Sequence, residues 1–474
     1  MSTPVINIAE MREWETASWA AGRTEADVIR RVGEIVARKI LKLTGAGDLI
    51  LLLAGAGHNG DDVRAAQNLL PGRGVELLNV TAPQNDLPKL DVLLARRPAL
   101  VVDGLFGIGL NRALDADWIK FIERLNAARL SVLAVDTPSG MDADSGIPRG
   151  ATVRATHTLA IGAPKRGLLL PEAWPFVGRL DVAADVGLIP CPIKNELNWI
   201  ASEDFTGFPP LRSADTHKGS YGHVTIIAGS LGFHGAAVLA ARGAQRAQPG
   251  LVTVFTMENV FHPVAAQLQS VMVVPWKPTS LVPENTTAIV FGPGLAANGL
   301  SEELKVGLRR IWLEAQVPVV ADASALAWLP LYPLPEASAR VVTPHPGEAA
   351  KLLKTTVEKV QANRPHAVRE IARQYRNCWV VLKGHQTLIG RANGDILVNT
   401  SGNPHLAQGG SGDLLAGFIG GLLAQPELQA DALKTIAYAV WQHGAAADKL
   451  AREKRNWIVE DLADVIGEVA VDEV

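Results

Sequence analysis

Gly409-Gly410-Ser411-Gly412-Asp413 stands directly before the apolar run Leu414–Leu423, an order that puts anion binding and proton transfer at one point of the chain. A glycine turn that opens a helix leaves several backbone N–H groups without carbonyl partners. Together with the positive end of the helix dipole, they converge on a bound phosphoryl group. Asp413 falls in the first turn, where a carboxylate would accept a proton from a substrate hydroxyl while the amides stabilise charge on the transferred phosphate. Taken alone, these five residues equally describe a tight turn and a capped helix. Two other segments give them context. TPHPGEAAKLL ends a predicted strand at His345 and opens a helix at Glu348, and VVLKGHQTLI presents Lys383, Gly384, His385, Gln386 and Thr387 after another strand. Ligand-binding residues of α/β sheets lie at such strand ends.

A second set occupies the first half. LILLLAGAGHNGDDVRAAQNLL has the order strand, glycine turn, helix, in which backbone amides approach a phosphate. VVDGLFGIGLNR adds Asp103, Gly107 and Gly109, and VLAVDTPSGMD adds Asp136 and Ser139. If the three strand ends share a crevice, Asn59, Asp103 and Ser139 form an oxygen-rich set suited to a hard monovalent or divalent cation, and Asp136 is placed as a general base. Singly, each of these residues also serves as a helix cap or turn former.

The elements that must position these groups follow from periodicity. Val28, Ile29, Val32, Ile35, Val36 and Ile40 recur at helical spacing, and Leu49–Leu53 reads as a buried strand. Val75–Val80, Ala99–Phe106, a helix around Asp115–Ala128 and Ser131–Asp136 continue the rhythm of a parallel sheet covered on both faces. Between Ile189 and Gly222 the pattern lapses around Pro190, Pro192, Pro209 and Pro210. It restarts at His223–Ser230 and runs through Leu251–Thr256, Ala288–Gly294, Val317–Ala323, Arg340–His345 and Trp379–Gly384 to helices from Ser411 onward. Two doubly wound α/β domains are expected, over 1–205 and 206–474.

Bulk properties narrow the function class. At 474 residues the chain exceeds what one core supports. A formal net charge of -3 provides no basic field for a nucleic-acid backbone and no basic patch for a membrane surface. Cys191 and Cys378 lack Cys-x-x-Cys spacing, which argues against a disulfide framework or a zinc site and fits a reducing compartment. The start MSTPVINIAEMREWE has no apolar signal region, and no stretch of eighteen apolar residues occurs. A cytoplasmic small-molecule enzyme is expected, with no nucleic-acid or membrane partner. It is expected to be a homo-oligomer, and strand Val271–Trp276 and the apolar helices after Gly412 could serve a subunit interface or an internal core.

From Lys218 to the C-terminus the chain resembles the ribokinase-like superfamily, and within it the dehydratase domain of the bifunctional NAD(P)H-hydrate repair enzymes. The resemblance runs through KGSYGHVTIIAGS, GFHGAAVLAARGA, FGPGL, VVADASALA, VVTPHPGEAAKLL, VLKGHQT, GNPHLAQGGSGDLLAG and WQHGAAAD. It implies that ADP phosphorylates the hydroxyl of S-form hydrated NADH or NADPH, after which phosphate leaves, the dihydronicotinamide is restored and AMP remains. Asp413 is then the base, Gly412 and Lys383 through Thr387 hold the AMP portion, and Ala236, Gly294, His345 and Asp413 contact the hydrate. The sugar kinases of this superfamily use an Asn-x-x-Glu motif to organise Mg²⁺, and His345-Pro-Gly-Glu348 occupies that place, which marks Glu348 as the magnesium candidate. Two positions depart from the pattern: Ala296 stands where glycine is usual and His405 where the residue is usually small.

Over roughly Ala9 to Leu188 the chain looks like the epimerase domain of the same family, a Rossmann-like three-layer domain. The resemblance implies that Asn59, Asp103 and Ser139 ligate potassium. It also implies that the loop His58, Asn59, Gly60, Asp61 and Asp62, together with Gly107, Ile108, Gly109, Leu110, Asn111, Arg112 and Ala113, contacts the hydrate, and that Asp136 serves the proton transfer interconverting R and S forms. The family loop Asn-Asn-Gly-Gly-Asp-Gly is here His58-Asn59-Gly60-Asp61-Asp62-Val63. A carboxylate at Asp61 predicts repulsion or crowding of a dinucleotide phosphate, and hence weaker hydrate binding. Three readings stand at this point: a working bifunctional enzyme, a dehydratase with a non-catalytic N-terminal binding or assembly module, and a ribokinase-type kinase acting on a vitamin alcohol.

Overall fold

The computed structural model describes residues 2–470 apart from 278, 299 and 332–337. Two compact units emerge, Thr3–Asn195 and the chain from Glu196 onward. The division precedes the expected 205/206 boundary because Leu197–Trp199 pairs with Ile396–Val398, and Phe205 packs on Tyr438 and Trp441.

In the N-terminal unit, strands β1 (Leu49–Ala54), β2 (Gly74–Asn79), β3 (Leu100–Gly104), β4 (Val132–Val135), β5 (His157–Ile161) and β6 (Arg179–Ala183) form a parallel sheet in the order β2-β1-β3-β4-β5-β6. β1 alternates without a polar residue because both its faces are buried. Ile50 and Leu52 pack with Val32, Val36 and Ile40 of helix α1 (Glu25–Leu43), whereas Leu51 and Leu53 pack with Leu90, Phe121 and Leu125 on the other face. Thr24 caps α1 by accepting the Asp27 amide at 3.2 Å. The strand order reverses between β1 and β3, and that switch opens a crevice beyond their C-terminal ends. Helix α2 (His58–Ala66) starts there.

In the C-terminal unit, strands β7 (Leu197–Trp199), β8 (His223–Ile227), β9 (Leu251–Thr256), β10 (Met272–Pro275), β11 (Ala288–Phe291), β12 (Val319–Ala321), β13 (Arg340–Val342), β14 (Trp379–Leu382), β15 (Leu388–Gly390) and β16 (Ile396–Val398) run in the order β7-β16-β15-β14-β13-β12-β11-β8-β9-β10. Pairing is parallel except where β15 meets β14 and β16. The switch point here lies between β8 and β11, where Gly229 N donates to Pro293 O at 2.9 Å.

Helices α3 (His234–Arg246) and α4 (Ser411–Leu423) approach so closely that side chains are excluded between them. A Cβ at Gly417 would lie 1.8 Å from Ala240 O, and one at Gly243 would lie 2.1 Å from Leu414 O. α4 is apolar on every side because it is enclosed by α3, the sheet and helix α5 (Ala432–Glu453), so this helix serves the internal core. At the sheet edge β10 leaves Met272 exposed. Among the described residues no helix is long and apolar enough to cross a membrane.

The close contact makes a stability prediction. Gly417→Ala should cost about 3 kcal/mol, by forcing a methyl onto a backbone carbonyl. Gly307→Ala, which meets open space in the helix Glu302–Glu314, should instead stabilise by up to about 1 kcal/mol. Urea denaturation midpoints check both.

Candidate active sites

In the C-terminal unit, Gly410 adopts φ +95° as the cap of α4. Gly412 and Asp413 follow in the first turn, with α4's amides directed at the strand ends. A Cβ at Gly412 would stand 3.1 Å from Lys383 Nζ, so the ammonium packs directly against the helix N-terminus. Lys383 follows β14 and donates to Asp322 Oδ1 at 2.9 Å, and the Thr343 hydroxyl donates to the same oxygen at 2.6 Å. Asp322 follows β12 and is buried. Burial opposes the Lys383 charge, but the carboxylates of Asp322, Glu348 and Asp413 outweigh it and hold the ammonium above its ordinary pKa. Burial also pushes Asp413 up to about 7. The Asp322 and Glu348 carboxylates add to that rise and Lys383 opposes it. An aspartate poised near neutrality beside an ammonium and free helix amides can deprotonate a hydroxyl while its neighbours receive an anion.

Of the other expected residues, Glu348 lies near enough to act on Asp413 and Lys383, and the rest make local contacts of their own. Gly294, at φ +64°, brings its α-carbon so near Ala236 that an added Cβ would lie 2.8 Å from the Ala236 methyl. Ser230 ties this corner by donating to Gly294 O at 2.6 Å and accepting the Ala296 and Ala297 amides, so alanine at 296 is accommodated through its backbone. His345 and Glu348 form a capping box on the helix Pro346–Leu352: His345 Nδ1 accepts the Gly347 amide at 3.0 Å, and Glu348 Oε2 accepts the His345 amide at 2.9 Å. The Lys383–Thr387 loop takes left-handed conformations at Gly384 (φ +128°) and Gln386 (φ +51°), and the Thr387 hydroxyl closes onto Gly384 O. His405 sits edge-on to Trp457.

Two neighbours escaped the sequence reading. Asp322 lay inside the segment VVADASALA without an assigned role, and its position at a predicted strand end was the available signal. His443 of α5 is buried with Nε2 3.1 Å from Ser411 O, and burial depresses it to about 4. It therefore buttresses the glycine turn as a neutral ring.

In the N-terminal unit, a cavity of about 650 Å³ opens at the β1/β3 switch point. His58, Asn59, Asp62, Asp136, Gly107, Ile108, Gly109, Leu110, Asn111 and Arg112 line it, whereas Gly60, Asp61 and Ala113 do not. Gly60 has a packing duty, since a Cβ there would strike Gly55 O at 2.1 Å. The expected crowding by Asp61 is corrected by the structure: its carboxylate turns to Arg64 Nη1 at 2.7 Å, and Arg64 is itself fixed to Gly55 O and Asn79. Asp62 is the carboxylate of this loop that faces the cavity. Burial pushes it up to about 8, with Asp136, Asp61 and Glu15 adding to the rise.

Asp136 holds φ +66° just beyond β4. Its Oδ2 accepts the Ile108 amide at 3.1 Å and its Oδ1 pairs with Lys165 Nζ at 2.6 Å. Lys165 is fully buried and also donates to Ile161 O. The sequence reading missed it because it lies in the irregular stretch after β5. Asp103 and Ser139 meet directly: the Ser139 hydroxyl and amide donate to the two Asp103 oxygens at 2.6 and 2.9 Å, and burial pushes Asp103 up to about 6. Asn59 donates through Nδ2 to Val135 O at 3.1 Å, which leaves its buried Oδ1 without a partner.

Comparison with known proteins agrees with both halves. Residues 224–468 match the family model described as NAD(P)H-hydrate dehydratase, and residues 78–167 match the one described as YjeF-related protein N-terminus. The bifunctional NAD(P)H-hydrate repair enzyme of Coxiella burnetii is 34% identical, covering 96% of each chain. The crystal structure of the ADP/ATP-dependent NAD(P)H-hydrate dehydratase from Bacillus subtilis, co-crystallised with ATP/Mg²⁺, superposes with a TM-score of 0.52 at 34% identity over 56% of this chain and 95% of that one. A ribokinase-like superfamily protein from Enterococcus faecalis superposes at 0.50 with 26% identity, over 58% of this chain and 96% of its own. With a dehydratase domain behind an epimerase domain and likeness along nearly its whole length to such an enzyme, this chain belongs to the bifunctional NAD(P)H-hydrate repair enzymes.

Proposed function

We propose that the C-terminal unit dehydrates (S)-hydrated NADH and NADPH at the expense of ADP, and that the N-terminal unit interconverts the R and S hydrates that feed it. The observation that carries the first part is the convergence of Asp413, Gly412 and the Lys383–Asp322 pair on the N-terminus of α4. Asp413 takes the proton of the hydrate hydroxyl as that oxygen bonds the β-phosphorus of ADP, and the bond to AMP breaks. The phosphorylated carbon then loses phosphate with its bonding electrons. Release of a proton from the adjacent carbon restores the dihydronicotinamide double bond. Ala236, Gly294 and His345 face the hydrate, and Lys383 through Thr387 with Gly412 face the AMP portion.

Magnesium, bound with the nucleotide, would neutralise charge on the transferred phosphoryl group. Among the described residues no cluster of three or more His, Cys, Asp or Glu forms a dedicated metal cage. A magnesium ion held mainly by nucleotide oxygens, with Glu348 as a protein carboxylate, fits that composition.

In the N-terminal unit Asp136 takes the proton of the hydrate hydroxyl as the bond from the hydroxyl-bearing carbon to the ring nitrogen breaks. It returns the proton when the nitrogen re-adds to the other face of the resulting carbonyl, and Lys165 holds its carboxylate in place. By the resemblance Asn59, Asp103 and Ser139 would hold potassium: their oxygens suit a hard cation, Asp103 and Ser139 are in contact, and the buried Asn59 Oδ1 is without a protein partner. Both activities are tested by offering the purified protein separated R- and S-hydrates with ADP or ATP while following reduced-nicotinamide absorbance. Recovery of absorbance with AMP and free phosphate supports the reading. A stable phosphorylated alcohol would instead identify a kinase.

Asp413→Asn should lower kcat for dehydration by about 10²–10⁴-fold while ADP binding persists. In the unsubstituted enzyme the base must be ionised, so kcat/KM should rise with pH through about 7 and level off above it. A pH-rate profile without that limb would remove Asp413 from the role. Because Asp61 faces Arg64, Asp61→Gly should leave the hydrate KM of the epimerase within about twofold of the parent, as initial-rate kinetics will show.

A further inference from the structure

Arg364 opens the helix Arg364–Gln374, is almost wholly buried, and spends its guanidinium on the backbone of a single loop. Nη2 donates to Leu382 O at 3.1 Å and Lys383 O at 3.4 Å, and Nη1 donates to Gln386 O at 3.2 Å and to His385 O. A Cβ on Gly384 would lie 3.4 Å from Nη2, so the guanidinium is packed directly under the loop. The carbonyls it gathers flank the two left-handed residues, Gly384 and Gln386. A left-handed Gln386 carries a backbone cost that the surroundings must offset.

In a trans peptide the carbonyl and the following N–H point in opposite directions. Drawing the carbonyls of Lys383, His385 and Gln386 onto Arg364 therefore turns the amides of Gly384, Gln386 and Thr387 to the far side of the loop. A cation beneath the carbonyls also polarises those peptide groups and strengthens them as donors. The side chain of Lys383, in the same loop, is fixed to Asp322. The loop is thus held at both ends, by Asp322 from the base side and by Arg364 from below.

We propose that Arg364 is a positioning residue for the nucleotide: it presents the Lys383–Thr387 amides to the oxygens of a nucleoside diphosphate. The inference rests on the reading of that loop as the ADP site. A purely structural role would make Arg364 equivalent to Arg369 of the same helix, which is buried to a similar degree. Arg369 also donates to carbonyls, those of Arg391 at 2.6 Å and Gly394 at 2.5 Å, but these lie outside the nucleotide loop.

Calorimetric titration with ADP and steady-state kinetics on full-length Arg364→Lys, Arg364→Met and Arg369→Lys make the distinction. Arg364→Lys should weaken ADP binding about tenfold and raise the KM for ADP in step, while the KM for the hydrate stays within about twofold. Arg364→Met, which keeps a stem and no donor, should bind ADP more weakly than Arg364→Lys. Arg369→Lys should lower the melting temperature yet hold ADP affinity within about twofold of the parent. Unchanged ADP binding in either Arg364 variant, or an equal loss in Arg369→Lys, overturns the proposal. Failure of the unsubstituted enzyme to bind ADP would overturn the underlying site reading, and with it this inference, and is visible before any variant is made.

Discussion

The C-terminal site depends on one ion pair, the partly buried Lys383 on the buried Asp322. Placing a carboxylate such as Asp322 where water is excluded costs several kcal/mol unless close geometry and further hydrogen bonds offset it. Both conditions are met, by the 2.9 Å contact and by the Thr343 hydroxyl on the shared oxygen. The pair ties the end of β12 to the end of β14 across the intervening β13, beside the first turn of α4. It also sets the potential in which Asp413 sits, because Asp322 raises that carboxylate's pKa and Lys383 lowers it. Removing Lys383 would strand a buried charge and shift the base at the same time.

The N-terminal unit reaches a related solution independently. Lys165 is withdrawn completely from solvent and pairs with Asp136, whose backbone is held in the left-handed region just past β4. In both units a lysine, fully buried at Lys165 and partly buried at Lys383, pairs with a carboxylate at a strand end. In the N-terminal unit the site lies where strand order reverses, whereas in the C-terminal unit the Gly229–Pro293 contact marks that reversal and the Lys383–Asp322 pair lies at the ends of β14 and β12. The glycines then divide into two kinds. Gly417 and Gly243 admit a neighbouring helix, whereas Gly412 lies against a functional ammonium.

Most of the architecture was legible because buried parallel strands read as short apolar runs and the covering helices carry amphipathic spacing. The helix that carries Arg364, the hairpin β15–β16 and the strands β5 and β6 went unread, for they are short, or mixed in polarity, or bounded by irregular loops. Site residues followed the same logic. Asp413, Asp103 and Asp136 sit at the ends of apolar runs, so their positions announced them. Lys165 and Arg364 work through long side chains that reach back from irregular segments, and nothing local in sequence records where such a side chain ends. Asp322 was legible in principle, as an acid at a strand end, but its partner Lys383 lies on a non-adjacent strand and only the fold brings them together.

The altered loop of the N-terminal unit shows how departures from a family pattern can be absorbed where they occur. Asp61 adds a charge, and Arg64, one helical turn on, takes it up while also holding Gly55 O at the base of the turn. Val63 adds bulk, and the room comes from Gly104, whose missing Cβ would lie 2.4 Å from Val63 Cγ2. The valine is consequently buried in the core shared with Val102 and Leu133 instead of intruding on the cavity. With Asp61 and Val63 turned away, Asn59 and Asp62 still face the cavity, and the helix start still lies at the switch point. Two of the three positions that differ from the pattern are thus turned outward or downward, and the third, His58, lines the cavity and meets Glu25 Oε1 at 3.0 Å. This removes the physical motive that Asp61 and Val63 gave for reading the N-terminal domain as a non-catalytic module.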